Sequence, residues 1–112
     1  MPNYNVSLDQ VFHALADPTR RAVVERLCLG PASVSELARP FRMALPSFAQ
    51  HLDVLEKCGL VRSSKAGRTR TCRLAPRRLA AAERWMEKQR AHWERRLDQL
   101  DALLTNLKEN KS

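Results

Sequence analysis

Several features are missing from this 112-residue chain. No apolar run approaches the ~20 residues that a bilayer span needs, so no membrane segment is expected. The N-terminus lacks a basic region followed by an apolar core, so no secretion signal is expected either. The only cysteines are Cys28, Cys58 and Cys72. They are odd in number and far apart, which excludes a disulfide framework and fits a reducing cytosol. There is no glycine-rich phosphate loop and no metal-site signature. A nucleophile triad is also absent. Ser47, His51 and Asp53 share one stretch, but at about 100° per residue a helix turns Asp53 about 160° away from His51. No enzyme, cofactor or resident metal is expected.

Acid is missing where base is dense. Between Lys57 and Arg78 there are eight Lys or Arg residues and no Asp or Glu, within a net charge of +8. Such a block faces an anion: nucleic acid, an anionic membrane or an acidic protein.

What is present reads as helices and one hairpin in a single domain spanning residues 1–112. Ser7 can cap a first helix, with Gln10 completing a capping box, and Leu8, Val11, Phe12 and Leu15 share its apolar face. Asp17-Pro18 opens a second helix that turns Val23, Val24 and Leu27 inward and ends at Gly30-Pro31. Ser33 and Glu36 form another capping box, opening a short third helix that Pro40 stops. Pro46 begins a fourth helix, closed by Lys57, Cys58 and Gly59. Residues 60–74 read as a two-stranded hairpin with a turn at Lys65-Ala66-Gly67-Arg68, and Cys72 and Leu74 facing inward. Cys28, next to Leu27, is expected to be packed. A long helix from Pro76 to about Leu107 contains no internal proline or glycine.

The fold class is therefore mainly α with a small β-hairpin, a winged helix-turn-helix of order ααααββα. The third helix supports and the fourth reads. With Phe48 at the centre of the buried face, Leu52, Leu55, Leu45 and Ala44 fall within about 60° of it and Gln50 points nearly opposite. Gln can bond adenine in a bidentate way, and Ser47 or His51 can donate to a base or phosphate. Lys65, Arg68 and Arg70 on the wing would meet the DNA backbone. His51 lies near enough to the buried face to be half packed instead. Asp53 is left out of the site because a carboxylate repels phosphate.

Four stretches together resemble the ArsR-type (arsenic-repressor) winged-helix transcriptional regulators of bacteria and archaea. They are "ALADPTRRAVVERL" (14–27), "SVSELARPF" (33–41), "LPSFAQHLDVLEKCGLV" (45–61) and "GRTRTCRL" (67–74). The resemblance covers the chain from about Leu8 to Leu107. It implies a small homodimeric repressor that binds double-stranded operator DNA in the cytoplasm and releases it on a signal. Carried over by position, the DNA-binding residues are Ser47, Gln50 and His51 in the reading helix and Lys65, Gly67, Arg68 and Arg70 in the wing. The Asp17-Pro18-Thr19-Arg20 run matches a family hallmark, taken mainly as a capping and packing feature. The family's sensor motifs are missing. The third helix has no cysteine, and the last helix has a single histidine, His92, three residues before Arg95. The inducer is left unidentified.

The last helix points to a second copy of the chain. Leu79, Met86, Trp93, Leu100 and Leu107 recur every seven residues, a pattern that fits packing against another helix. Residues 7–16 and 76–107 are the expected dimer helices, with Leu8, Val11, Phe12, Met86, Trp93, Leu97, Leu100 and Leu104 at the interface. Two other readings stand beside the DNA-binding one. The chain could be a winged-helix interaction module for an acidic partner, or a protein that coats DNA without regard to sequence.

Overall fold

The computed structural model describes the backbone of residues 3–110 and the side chains of residues 8–110. In chain order the elements are α1 (Asn3–Leu15), α2 (Pro18–Leu27), β1 (Ala32–Ser33), α3 (Val34–Ala38), α4 (Leu45–Lys57), β2 (Val61–Ala66), β3 (Thr69–Leu74) and α5 (Pro76–Asn110). Helix α1 is already formed at Asn3, so Ser7 lies inside it and is not its cap. Helix α5 runs three residues past the expected end at Leu107.

The other helix boundaries follow local chemistry. Asp17 is the N-cap of α2, and its carboxylate accepts from the Arg20 amide at 3.0 Å. Ser33 caps α3 with a complete capping box. Its hydroxyl accepts from the Glu36 amide at 3.1 Å, and Glu36 accepts from the Ser33 amide at 3.0 Å. Helix α4 ends in a Schellman arrangement. The Leu60 amide bonds the Leu55 carbonyl and the Gly59 amide bonds the Glu56 carbonyl, both at 3.0 Å. Gly59 takes φ +83°, the left-handed conformation this ending requires. Leu55 and Leu60 are both fully buried, supplying the apolar contact that accompanies the motif.

The sheet has three strands, not two, in the order β1-β3-β2, all antiparallel. The expected hairpin is present. Ala32 and Ser33 add a short third strand by pairing with Cys72 and Thr71. Ala66 pairs with Thr69, so only Gly67 and Arg68 form the loop. Gly67 has φ +63° and no other wing residue has positive φ, the pattern of a II′ hairpin turn.

The chain divides into two compact units, Met1–Ala82 and Glu83–Ser112. The expected single domain is confined to the first. Its core joins Val11 and Ala14 of α1, Val23, Val24 and Leu27 of α2, and Phe48, Leu52 and Leu55 of α4. Leu37, Leu60, Val61, Cys72 and Ala82 close it, and Leu79 packs against it. The second unit is the remainder of α5, in which every described residue is exposed. Two expectations fail here. Cys28 is exposed, because it lies past the last turn of α2 and outside its buried face. Val11, assigned to a dimer face, is only 1% exposed and faces its own core, so it has no surface to offer a partner. Leu8 and Phe12 are partly buried against the same core.

Gly59 joins the reading helix to the wing, and a Cβ there would stand 3.0 Å from Arg78 Cγ. Gly59→Ala should destabilise the fold by about 1–2 kcal/mol, since the left-handed conformation is costly for any residue with a Cβ. Urea denaturation would check this. An unchanged midpoint would show that the α4 ending tolerates a side chain.

Candidate nucleic-acid interface

Helix α4 presents one face because the opposite one is buried. Phe48, Leu52 and Leu55 point into the core, and Phe41 stacks on Phe48 with ring centroids 5.6 Å apart. That orientation leaves Ser47 and Gln50 exposed, as the sequence predicts, but Leu45 and Ala44, expected on the buried face, are exposed as well, because they stand at the helix start beyond the core. The N-cap of α4 is Ala44, whose side chain makes no capping hydrogen bond. The first-turn amides at the positive end of the helix dipole are thus left to solvent or to an anion. Asp53 is held by Lys57 at 2.9 Å on the exposed surface, consistent with its omission from the site.

His51 is half-buried and tied inward. Arg20 Nη1 lies 3.2 Å from His51 Nδ1, and Asp17 Oδ2 is 3.6 Å from the same nitrogen. A guanidinium can only donate, so with Arg20 as partner Nδ1 carries the lone pair and Nε2 the proton. His51 can then serve DNA through Nε2 alone. Arg20 also donates from Nε to the Ala14 carbonyl at 2.7 Å and from Nη2 to the His13 carbonyl at 3.2 Å. One side chain of α2 therefore fastens the end of α1 to the reading helix. The sequence marks the 17–20 run as a cap and packing feature, but not this contact across 31 residues.

The wing carries its cations in opposed pairs. In the β2/β3 register, Arg62 stands opposite Arg73 and Lys65 opposite Arg70. Strand alternation places Lys65 and Arg70 on the face that also carries Val61 and Cys72, and Arg62 and Arg73 on the other. Like charges directly opposite destabilise a hairpin. Among the described residues no ion pair to a carboxylate relieves either pair. Among the described residues, the carboxylate tied to the wing is Glu56, which accepts from the Ser63 hydroxyl. Lys65, Gly67, Arg68 and Arg70 are all exposed toward the tip. Arg62, Arg73 and Arg77 lie in the same acid-free block but are not among the expected site residues. The block announces them, and only the register shows which face each takes.

Two of the three thiols are poorly placed for redox chemistry. Burial pushes the Cys58 and Cys72 thiols up from their ordinary values, and both are buried. Among the described residues no three His, Cys, Asp or Glu gather as metal ligands. His92 Nδ1 instead lies 2.7 Å from Arg95 Nη2.

Comparison with known proteins agrees with this geometry. Residues 15–64 match a family model described as a helix-turn-helix domain. The chain is similar to the HTH-type transcriptional regulator Rv2034 of Mycobacterium tuberculosis, 49% identical over 67% of this chain and 70% of that protein. It is also similar to the transcriptional repressor SdpR of Bacillus subtilis, 30% identical over 54% of this chain and 67% of that one. Among solved structures, an ArsR family transcriptional regulator superimposes with a TM-score of 0.77 at 52% identity, covering 84% of this chain and 97% of the other. The homodimeric winged helix-turn-helix DNA-binding domain of Mb0332 from Mycobacterium bovis superimposes with a TM-score of 0.60 at 25% identity, covering 80% and 81% of the two chains.

The Asp17 cap has a pH signature. The Arg20 amide holds its carboxyl below the ordinary carboxylate value, with the nearby Arg20 charge and the Thr19 amide adding to the effect. A depressed pKa stabilises above the unfolded value and loses that stability as pH falls through the folded one. Asp17→Ala should therefore cost about 0.5–2 kcal/mol at pH 7. The gap from the parent should narrow below about pH 4, where Asp is protonated in the unfolded chain. Denaturant melts at pH 7 and pH 3 would check this, and an equal gap at both would remove the carboxylate from the account.

Proposed function

Because the chain belongs to the ArsR-type winged helix-turn-helix regulators, DNA-binding proteins and not enzymes, we propose that it is a homodimeric repressor that binds operator DNA in the bacterial cytoplasm. Ser47 and Gln50 enter the major groove with the start of α4, and His51 contributes through Nε2. Lys65, Arg68 and Arg70, carried round the Gly67 turn, hold the backbone beside it. The observation that carries this reading is the unrelieved Lys65–Arg70 pair beside an exposed polar face of α4. A fold gains nothing from that pair alone, and a phosphate backbone neutralises it. A winged module for an acidic protein would also use the wing, but it would not need Gln50 on an uncapped helix start.

The dimer rests on α5. Met86, Trp93, Leu97, Leu100 and Leu104 are all exposed, Trp93 by 63%. Exposed apolar surface on this scale marks an interaction site, and its seven-residue recurrence suits a second α5. Leu8 and Phe12 of α1 can add their exposed parts. Two such copies would present reading helices to half-sites about 34–36 Å apart. The release signal is not a metal bound at the family's cysteine or paired-histidine positions, since this chain does not have those residues.

The first test is a gel shift on the DNA upstream of the chain's own coding region, with excess random duplex. Gln50→Ala should lower the preference for operator over random DNA by about 1–3 kcal/mol, while Arg68→Ala should weaken both alike. Equal effects of the two changes on both duplexes would remove the assigned roles. Sedimentation should show that Leu97→Arg/Leu104→Arg converts dimer to monomer. A dimer that survives the double change would place the interface elsewhere.

A further inference from the structure

The second opposed pair on the wing is not used by the reading face. Arg62 and Arg73 point to the other side of the hairpin, where they border a groove of about 520 Å³ with Arg77, Leu74, Ala75 and Pro76. Three features set this groove apart from an ordinary solvated basic surface. The two arginines stand directly opposite each other across the ladder. Arg77 sits in the first turn of α5, which has no acidic residue there, so its cation faces the positive end of a helix dipole. The strongest partner any of the three has among the described residues is the Ser64 hydroxyl, 3.5 Å from Arg73 Nη2. Repulsion, the dipole and missing counter-charges all disfavour this cluster in the free protein. Each of them favours an anion bound in it.

The geometry points to a binding site for a small organic phosphate, with the phosphate between the Arg62, Arg73 and Arg77 guanidiniums and its organic part on Ala75 and Pro76. Guanidinium forks match phosphate oxygens in a bidentate way. The volume lies within the ~300–1,000 Å³ range of small-molecule sites. The apolar floor distinguishes the groove from a bare backbone-binding surface, which needs only charge.

The groove also bears on the missing release signal, and this step rests on the DNA-binding reading above. Arg62 and Lys65 are three residues apart on β2, about 10 Å along a strand. That is about one Debye length at 0.1 M salt, so a bound dianion is still felt at the wing tip. Its negative charge weakens the attraction of Lys65, Arg68 and Arg70 for the DNA backbone.

The test begins without DNA, so its outcome does not depend on the operator. The full chain, labelled with nitrogen-15, is titrated with phenyl phosphate, and with benzyl alcohol as the uncharged control. Saturable shifts are expected at Arg62, Arg73, Leu74 and Arg77 with phenyl phosphate alone. Arg62→Ser/Arg73→Thr should weaken binding by about tenfold, and Lys65→Ser/Arg70→Thr, with the same loss of charge, by about twofold or less. Both double variants remove an opposed like-charge pair, so neither is expected to unfold the hairpin. Non-saturable shifts, or equal losses in the two variants, would reduce the groove to diffuse charge and overturn the site. A second arm adds phenyl phosphate to the operator complex, where affinity should fall about two- to fivefold at 0.1 M salt. Binding without any such fall would overturn the coupling. If phenyl phosphate does not bind and Arg62→Ser/Arg73→Thr loses operator affinity as strongly as Lys65→Ser/Arg70→Thr, the groove is a surface for DNA backbone and the proposal fails.

Discussion

Burial of Phe48, Leu52 and Leu55 is the constraint from which the rest of the site follows. These three side chains lock the rotation of α4 about its own axis. A helix turned by about half would bury Gln50 without partners, at a cost of about 1–3 kcal/mol for each unsatisfied group. Apolar packing thus selects the polar face, and Ser47 and Gln50 are exposed as its remainder. The Schellman ending carries the same constraint into the wing. Leu60 follows Gly59 into the core beside Leu55, so β2 starts from a fixed point relative to α4. Arg20 adds a second fastening, from the α1 carbonyls to His51.

Electrostatics in this fold oppose its stability where they serve its ligand. A surface pair such as Lys57 with Asp53 contributes little, because solvent screens it. On α5, Arg90 bonds both Glu87 and Glu94. The wing has no ion pair to a carboxylate among the described residues, although it is the most densely basic segment of the chain. The contrast lies within one chain of net charge +8. General basicity therefore does not account for it, whereas neutralisation by an external anion does.

What the sequence made legible was local. The Ser33–Glu36 box, the Asp17 cap, the Gly59 ending and the Gly67 turn each rest on a few adjacent residues. Each could be read from residue type and spacing. The exposed Ser47 and Gln50 followed from helical periodicity alone. What escaped was non-local. Two residues, Ala32 and Ser33, became a strand only because β3 lay beside them, and no two-residue pattern announces a strand. Cys28 looked buried beside Leu27, but the end of α2 turned it outward. Val11 fits an apolar stripe equally well whether the stripe meets its own core or a partner. His51 was visible as a borderline position, yet its tie to Arg20 spans 31 residues. The facing of Arg62 and Arg73 needs the strand register, which the hairpin pattern alone does not fix.

The exposed stripe on α5 supports the proposed dimer on physical grounds. From Glu83 onward every described residue is exposed, and the stripe includes Trp93, Leu97, Leu100, Leu103, Leu104 and Leu107. Isolated helices are marginal in water, and most helices in proteins gain their stability from a packed apolar face. The pairs around Arg90 lie in solvent, which screens them. Half-exposed leucines still forfeit part of the ~1.5–3 kcal/mol that full burial of each would contribute. Six large apolar side chains therefore outweigh charged pairs that solvent screens. A second copy of the same helix is the partner whose stripe has the same seven-residue repeat. The two-fold symmetry of such a pair also doubles the number of reading helices that one operator can engage.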